Sequence, residues 1–301
     1  MNSDFAELLS RRVPELEVRV GERLEFHTSF HIGGPASCMV FPKSAEHLSA
    51  CLAVLHENGL RPRILGGGTN ILAPDEGISD VVICLRGGLE EIRAVSDCEL
   101  EADAGAALSR LAAFARDLGL TGLEFAHGIP GTVGGGVYMN AGAYGGELCR
   151  LVTEVTVLSP DGKCRVIPCE EKTFGYRTSR FEGSGDVIVR ARFRLSHGDK
   201  AEIRQKMNEL AQRRRASQPL EYPSAGSTFK RPAGAYAAAL IDEAGLKGLR
   251  VGDAEVSRKH AGFVVNRGKA TSAEVRALMA QIQKTVEEKS GFRLEPEVRI
   301  W

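Results

Sequence analysis

The sequence predicts an α+β fold with mixed sheets, spread over about two domains. Three observations carry this. Short apolar runs alternate with amphipathic helical periodicity between residues 38 and 118. Residues 155–195 supply a hairpin and an alternating strand in place of helices. The last hundred residues hold further helical patterns, with stop signals at Gly245 and Gly291. A length of 301 residues suggests two domains at roughly 100–200 residues each. The composition shifts where a polar, basic helix begins, so the expected division is 1–198 and 199–301, with an N-terminal extension over about residues 1–20.

Taken in order, Met39–Phe41 is a short apolar run, and Ser44 is placed to cap a helix with Leu48, Cys51, Leu52 and Leu55 on one face. Asn58-Gly59 stops it. Ile64-Leu65 leads into a glycine loop, and Val81–Leu85 and Cys98–Ala104 read as strands. Ala106–Leu118 reads as a helix ended by Gly119. Residues 128–146 read as one glycine-rich loop. Val155, Val157, Asp161-Gly162, Cys164 and Val166 form a hairpin signature. Val187, Val189, Ala191, Phe193 and Leu195 alternate with mostly basic residues, as in a half-exposed strand. Helices follow over about 199–215 and 236–244. Thr271 with Glu274 is a capping box opening a helix with Val275, Leu278, Ile282 and Val286 on one face. Leu294–Ile300 reads as a final strand.

Composition excludes several classes. Thirty-nine Lys plus Arg balance 39 Asp plus Glu, so no global field holds a nucleic acid or an anionic membrane. No apolar run of about 18 residues is present, so membrane insertion is not expected. Met1–Pro14 is polar, without a signal-peptide core. Seven scattered cysteines without a C-x-x-C pair suit reduced thiols in a cytoplasm, and no metal site is expected.

The 34 glycines exceed the usual share of about 7% and concentrate in two loops. Gly66, Gly67, Gly68, Thr69, Asn70 and Ile71 form the first; it reads as a tight surface turn or as an anion-binding nest. Ile71 stands where a Rossmann turn needs Gly or Ala, and no P-loop pattern occurs. The second, Gly128-Ile129-Pro130-Gly131-Thr132-Val133-Gly134-Gly135-Gly136, is followed by Met139-Asn140-Ala141-Gly142-Ala143-Tyr144-Gly145. It reads as a structural glycine turn or as one wall for a flat, phosphate-bearing dinucleotide. Tyr176-Arg177 can grip a carboxylate, or be a surface ion pair beside a half-buried ring. Ser227, in Gly226-Ser227-Thr228-Phe229-Lys230, is a turn or capping serine, or a proton donor; it lies in no G-x-S-x-G elbow. Glu295 and Glu297, two apart, share one side of a strand, which is either an edge strand or the carrier of a site carboxylate. His31 and His260 read equally as hydrogen-bonded structural residues.

The order of these motifs resembles the UDP-N-acetylenolpyruvoylglucosamine reductase (MurB) family of bacterial cell-wall synthesis. The resemblance runs through residues 28–34, 65–70, 128–135, 139–145, 176–179, 223–230, 259–266 and 294–298, so it covers nearly the whole chain from about residue 20. It implies an FAD-binding domain of the vanillyl-alcohol-oxidase (PCMH) type in two α+β halves, followed by a C-terminal α+β substrate-binding domain. It further implies FAD and NADPH as cofactors and a UDP-sugar enolpyruvyl ether as substrate, reduced to UDP-N-acetylmuramate. In that reading Gly66–Ile71, Gly128–Thr132, Gly134, Gly135, Ala141 and Gly142 hold the cofactor. Tyr176, Arg177, Gln218 and Lys230 bind substrate. Arg177, Ser227 and Glu297 are catalytic: Arg177 meets the charge built on the carboxylate, Ser227 gives the proton and Glu297 assists in protonated form, with Lys230 beside the serine. A monomer or weak dimer is expected.

The chain departs from one family branch in having no inserted, tyrosine-bearing loop between Ser179 and Val187, so it resembles the shorter branch. Arg231 follows Lys230 where the longer branch has Asn, and Gly136 stands where many members have Ala. Rival readings are a flavin oxidoreductase of the same fold acting on another carbohydrate, and a non-catalytic nucleotide-binding protein. Arg213-Arg214-Arg215 is a solvated helix face or part of a phosphate site.

Overall fold

In a computed structural model describing residues 2–301, the chain forms two compact units. Met1, the first residue of the polar N-terminus, lies outside the described residues. The first unit takes the chain up to Glu22, Ser37–Gly67 and Ser79–Gln212; the second takes Arg23–Ala36, Gly68–Ile78 and Arg213–Trp301.

The first unit opens with helix α1 (Asn2–Arg12), within the expected N-terminal extension. Ala6 and Leu9 recur at helical spacing and are buried, with Val13 beyond the helix end, in a cluster shared with Cys51, Leu52 and Leu55. Those three belong to α2 (Ala45–Glu57), where the Ser44 side chain accepts from His47 N at 3.2 Å, the expected cap. A four-stranded sheet runs in the order Glu17–Val20, Ala36–Phe41, Ile78–Cys84, Arg63–Leu65. Its last pair is parallel. A second, five-stranded sheet runs Cys164–Pro168, Val152–Leu158, Val187–Arg194, Glu99–Asp103, Ile92–Ser96, antiparallel throughout. Val187, Val189, Ala191 and Phe193 are buried on one side, and Ile188, between the first two, is buried as well. The intervening arginines meet acids across the strands: Arg190 with Asp103 at 2.7 Å, Arg192 with Glu101 at 2.6 Å, Arg194 with Glu99 at 2.8 Å. Burial alone would raise the Glu101 carboxyl, but Arg192 and Arg93 outweigh it and hold it below the usual glutamate range. Helices α3 (Leu108–Asp117), α4 (Val133–Tyr138) and α5 (Lys200–Ser217) complete the unit, and the boundary falls within α5.

The second unit carries α6 (Ala237–Glu243) and α7 (Ser272–Ser290). It also has a three-stranded sheet of Arg250–Val251, Ala254–Val256 and Val264–Asn266. The capping box forms as read: Thr271 accepts from Glu274 N at 3.1 Å, and the Glu274 carboxylate accepts from Thr271 N at 3.0 Å. Gly291 ends α7 in the left-handed region at φ 73°. The apolar face of α7 packs with Phe30, Ile32, Leu72, Phe229, Ile241 and Val256.

One element differs from expectation. Of Leu294–Ile300 only Arg299–Ile300 is a strand, paired in parallel with Ile71–Leu72. Pro296 has no N–H to offer a ladder. The residues around it make an irregular pairing instead: Lys230 N donates to Glu295 O at 2.8 Å, and Glu297 N to Thr228 O at 2.9 Å. Nor does the contact pattern follow a single cut near residue 198. Residues 23–36 and 68–78 pack with the C-terminal third, through bonds such as Ser224 N to Ser29 O at 3.1 Å and Arg299 N to Asn70 O at 2.9 Å.

Candidate active site

In the first unit the two glycine loops meet. A Cβ on Gly66 would stand 2.6 Å from Thr132 Oγ1, and one on Gly67 would stand 2.9 Å from Gly131 Cα. Only glycine permits that approach. The second loop is not wholly irregular, because α4 lies inside it. Three successive glycines cost a helix roughly 1 kcal/mol each against alanine. Packing accounts for two of them: a Cβ on Gly134 would lie 2.8 Å from Ala104 Cβ, and one on Gly136 3.0 Å from Leu108 Cδ1. Thr132 caps α4, its hydroxyl accepting from Gly135 N at 3.4 Å. Gly128, Pro130 and Gly135 remain exposed. The result is a wall made largely of main chain, which fits a flat group bearing phosphates.

Two hairpins follow. Gly142-Ala143 pairs with Gly146-Glu147 around Tyr144 (φ 53°) and Gly145 (φ 85°), two left-handed residues as a tight hairpin turn demands. Phe174-Gly175 pairs with Thr178-Ser179, placing Tyr176 and Arg177 at the tip. Arg177 has φ 57°, uncommon for a residue other than glycine. Its Nη2 donates to Gly142 O at 3.2 Å, and its guanidinium carbon sits 5.2 Å from the centre of the Tyr176 ring. Tyr176 is exposed and Arg177 half-buried.

The second unit brings together Gly68–Ile71, the Gly226–Lys230 segment and the Leu294–Val298 segment. Thr228 is the pivot. It is buried, its N–H donates to Gly262 O at 2.9 Å, and its hydroxyl accepts from Val264 N at 3.0 Å. Its carbonyl accepts the Glu297 N–H, which sets Ser227 and Glu297 on neighbouring segments. Ser227 is exposed and caps no helix. Lys230 Nζ is engaged by Glu295 Oε1 at 2.7 Å. Asn70 Nδ2 donates to Glu297 O at 3.1 Å. Gly68 has φ 63°, and a Cβ there would overlap the His27 carbonyl oxygen. Gln218 follows the end of α5, its N–H donating to Arg214 O at 2.8 Å. His260 lies half-buried beside the pivot; its Nδ1 accepts from Gly262 N at 3.2 Å, and its ring meets Phe263 edge-on at 5.0 Å. Burial pushes its imidazole below the ordinary histidine value. His31 is exposed.

Asn140 and Thr228 each take a part here beyond what their motifs mark. Asn140 carried a signal: Asn tolerates the left-handed region, and it stands before Ala-Gly. Thr228 carried none beyond its motif.

The two-loop wall and the mixed sheets fit an α+β protein that binds a flat, phosphate-bearing group, and residues 36–167 match the family described as FAD binding domain. Residues 218–301 match the family described as UDP-N-acetylenolpyruvoylglucosamine reductase, C-terminal domain. The chain is similar to the UDP-N-acetylenolpyruvoylglucosamine reductase of Agathobacter rectalis, at 43% identity over 100% of this chain and 99% of that one. It is also similar to that of Caldanaerobacter subterraneus subsp. tengcongensis, at 44% over 98% and 99%. The crystal structure of the Thermus caldophilus reductase (MurB) superposes with a TM-score of 0.81 at 37% identity, covering 95% of this chain and 99% of that one. The chain belongs to the UDP-N-acetylenolpyruvoylglucosamine reductase family.

Proposed function

We propose that the protein reduces the enolpyruvyl ether of UDP-N-acetylenolpyruvoylglucosamine to UDP-N-acetylmuramate, with FAD as the bound cofactor and NADPH as the reductant. The observation that carries this is the convergence of Ser227, Lys230, Asn70 and Glu297 on one irregular strand pairing, in a chain of this family. When bound, FAD would supply two-electron hydride chemistry between NADPH and the enolpyruvyl group. Gly66–Ile71, Gly128–Thr132, Gly134, Gly135, Ala141 and Gly142 would hold it through main-chain groups and the Thr132 hydroxyl.

In this reading Arg177 places positive charge where the substrate carboxylate takes on enolate character. Ser227 delivers a proton to the α carbon from its hydroxyl. Serine is a weak acid, so its alkoxide needs stabilisation, and Lys230 serves this after yielding Glu295. Glu297 assists Arg177, and Tyr176 and Gln218 hold substrate. We assign residues 1–198 the cofactor role and 199–301 the substrate role. We place the enzyme in the cytoplasm, in cell-wall biogenesis and through it in cell shape, division and the cell cycle. No helix of the described residues is long and apolar enough to cross a membrane.

The test is an anaerobic absorbance titration of the purified protein. Flavin bands that bleach with NADPH and return only on adding the enolpyruvyl sugar nucleotide support the reading. Bleaching without return discards the substrate, and a protein that takes up no FAD discards the cofactor.

A further inference from the structure

The segment 138–140 braces the hairpin that carries Arg177. Asn140 is 3% exposed and holds φ 44°, a left-handed conformation that Asn tolerates and β-branched residues do not. Both ends of its side chain are used. Nδ2 donates to Gly175 O at 3.0 Å, and Oδ1 accepts from Cys149 N at 3.0 Å. Gly175 lies two residues before Arg177, on the first strand of the hairpin. The second strand is tied from the same segment: Ser179 Oγ donates to Tyr138 O at 2.8 Å, and Ser179 is 7% exposed. The hairpin itself has only two paired residues on each side, too few to fix its tip alone. The tip residue sits in an uncommon backbone conformation, which persists only where its surroundings over-determine it. Asn140 and Ser179 provide that determination.

We propose that Asn140 is a positioning residue for Arg177, with Ser179 as the second tie, and that its effect on the reaction passes mainly through the arginine, Tyr176 on the same tip accounting for the remainder. This rests on the reading that Arg177 meets the substrate carboxylate. Asn140→Asp keeps the shape, the left-handed tolerance and the acceptor for Cys149 N–H. It turns the amide donor into an oxygen facing the Gly175 carbonyl, which moves the tip. A displacement near 1 Å at a charge-stabilising group costs on the order of tenfold to a hundredfold in rate.

The experiment is a double-mutant cycle of N140D and R177A in the FAD-loaded enzyme. It measures flavin reduction by NADPH, reoxidation by the enolpyruvyl sugar nucleotide, and the flavin absorbance change when that nucleotide binds the oxidised enzyme. We expect N140D to slow reoxidation by about tenfold or more, to weaken the binding signal and to spare flavin reduction. In the R177A background N140D should change reoxidation less than about threefold, because residues acting as one unit are non-additive. Multiplying effects, or equal slowing of both half-reactions by N140D, would overturn the proposal. R177A leaving reoxidation untouched would instead sink the reading of Arg177, whatever N140D does. If N140D does not fold, S179A decides: a loss confined to reoxidation and absent with R177A sustains the positioning role, and any other pattern rejects it.

Discussion

Asn70 Nδ2 donates to the carbonyl oxygen of Glu297 at 3.1 Å, while the carbonyl of Asn70 accepts from Arg299 N at 2.9 Å. One residue of the first glycine loop thus grips the C-terminal segment on both sides of Val298. Replacing Asn70 by Ala leaves the Glu297 carbonyl without that donor. We expect a loss of about 1 kcal/mol in unfolding free energy, read from the denaturant midpoint. An unchanged midpoint would show that the bond contributes nothing.

Gly68 and Gly226 both have positive φ, 63° and 75°, but differ in surroundings. A Cβ at 226 meets nothing within 4 Å, whereas one at 68 overlaps the His27 carbonyl. Gly226→Ala should cost about 1 kcal/mol, from the backbone alone. Gly68→Ala should cost about 3 kcal/mol or more and lower the soluble yield. Comparable melting temperatures for the two variants would contradict the geometry.

Ser227→Ala tests the proton donor. Reduction of flavin by NADPH should stay within about twofold, while reoxidation by substrate should fall by about 10² or more. Stopped-flow absorbance separates the two. Equal slowing of both halves would remove Ser227 from the role.

His260 gives a signed pH dependence. Its pKa is lowered in the fold by burial, with the Lys247 charge adding to the effect, from an ordinary value of 6.5. The unfolded chain therefore binds the proton more readily. The stability it contributes is complete above the ordinary value and is lost as pH falls through the lower folded one. Protonation also removes the Nδ1 acceptor from Gly262 N–H. His260→Gln, which does not titrate, should flatten the fall in denaturant midpoint between pH 7 and about pH 5. A slope matching the unsubstituted protein would assign the dependence elsewhere.

Local chemistry was legible where it is local. Ser44, Thr271 with Glu274, and the left-handed stops at Gly59, Gly119, Gly245 and Gly291 all sit where their residue types place them. Helix α4 is hidden in the sequence because glycine is a poor helix former; packing against Ala104 and Leu108 accounts for Gly134 and Gly136, while Gly135 stays exposed. The final strand is shorter than its pattern suggests because alternation persists through Pro296 although the ladder does not. Within the site, the motifs pointed at Ser227, Lys230, Asn70 and Glu297 one at a time. Their meeting rests on bonds across 65 to 227 residues of sequence, which no window of periodicity contains.

The ties between residues 23–36, 68–78 and 213–301 have a consequence during synthesis. A chain leaves the ribosome from its N-terminus, and domains commonly fold as they emerge. Here the early segments are exposed long before their partners exist. The first unit is fully translated at Gln212, but Phe30, Ile32 and Leu72 must wait for Phe229, Val275 and Leu294 to be covered. Until then three apolar side chains stand on segments that interrupt a nearly finished body. The nascent protein is therefore most vulnerable to aggregation late in translation, in the interval before α7 arrives.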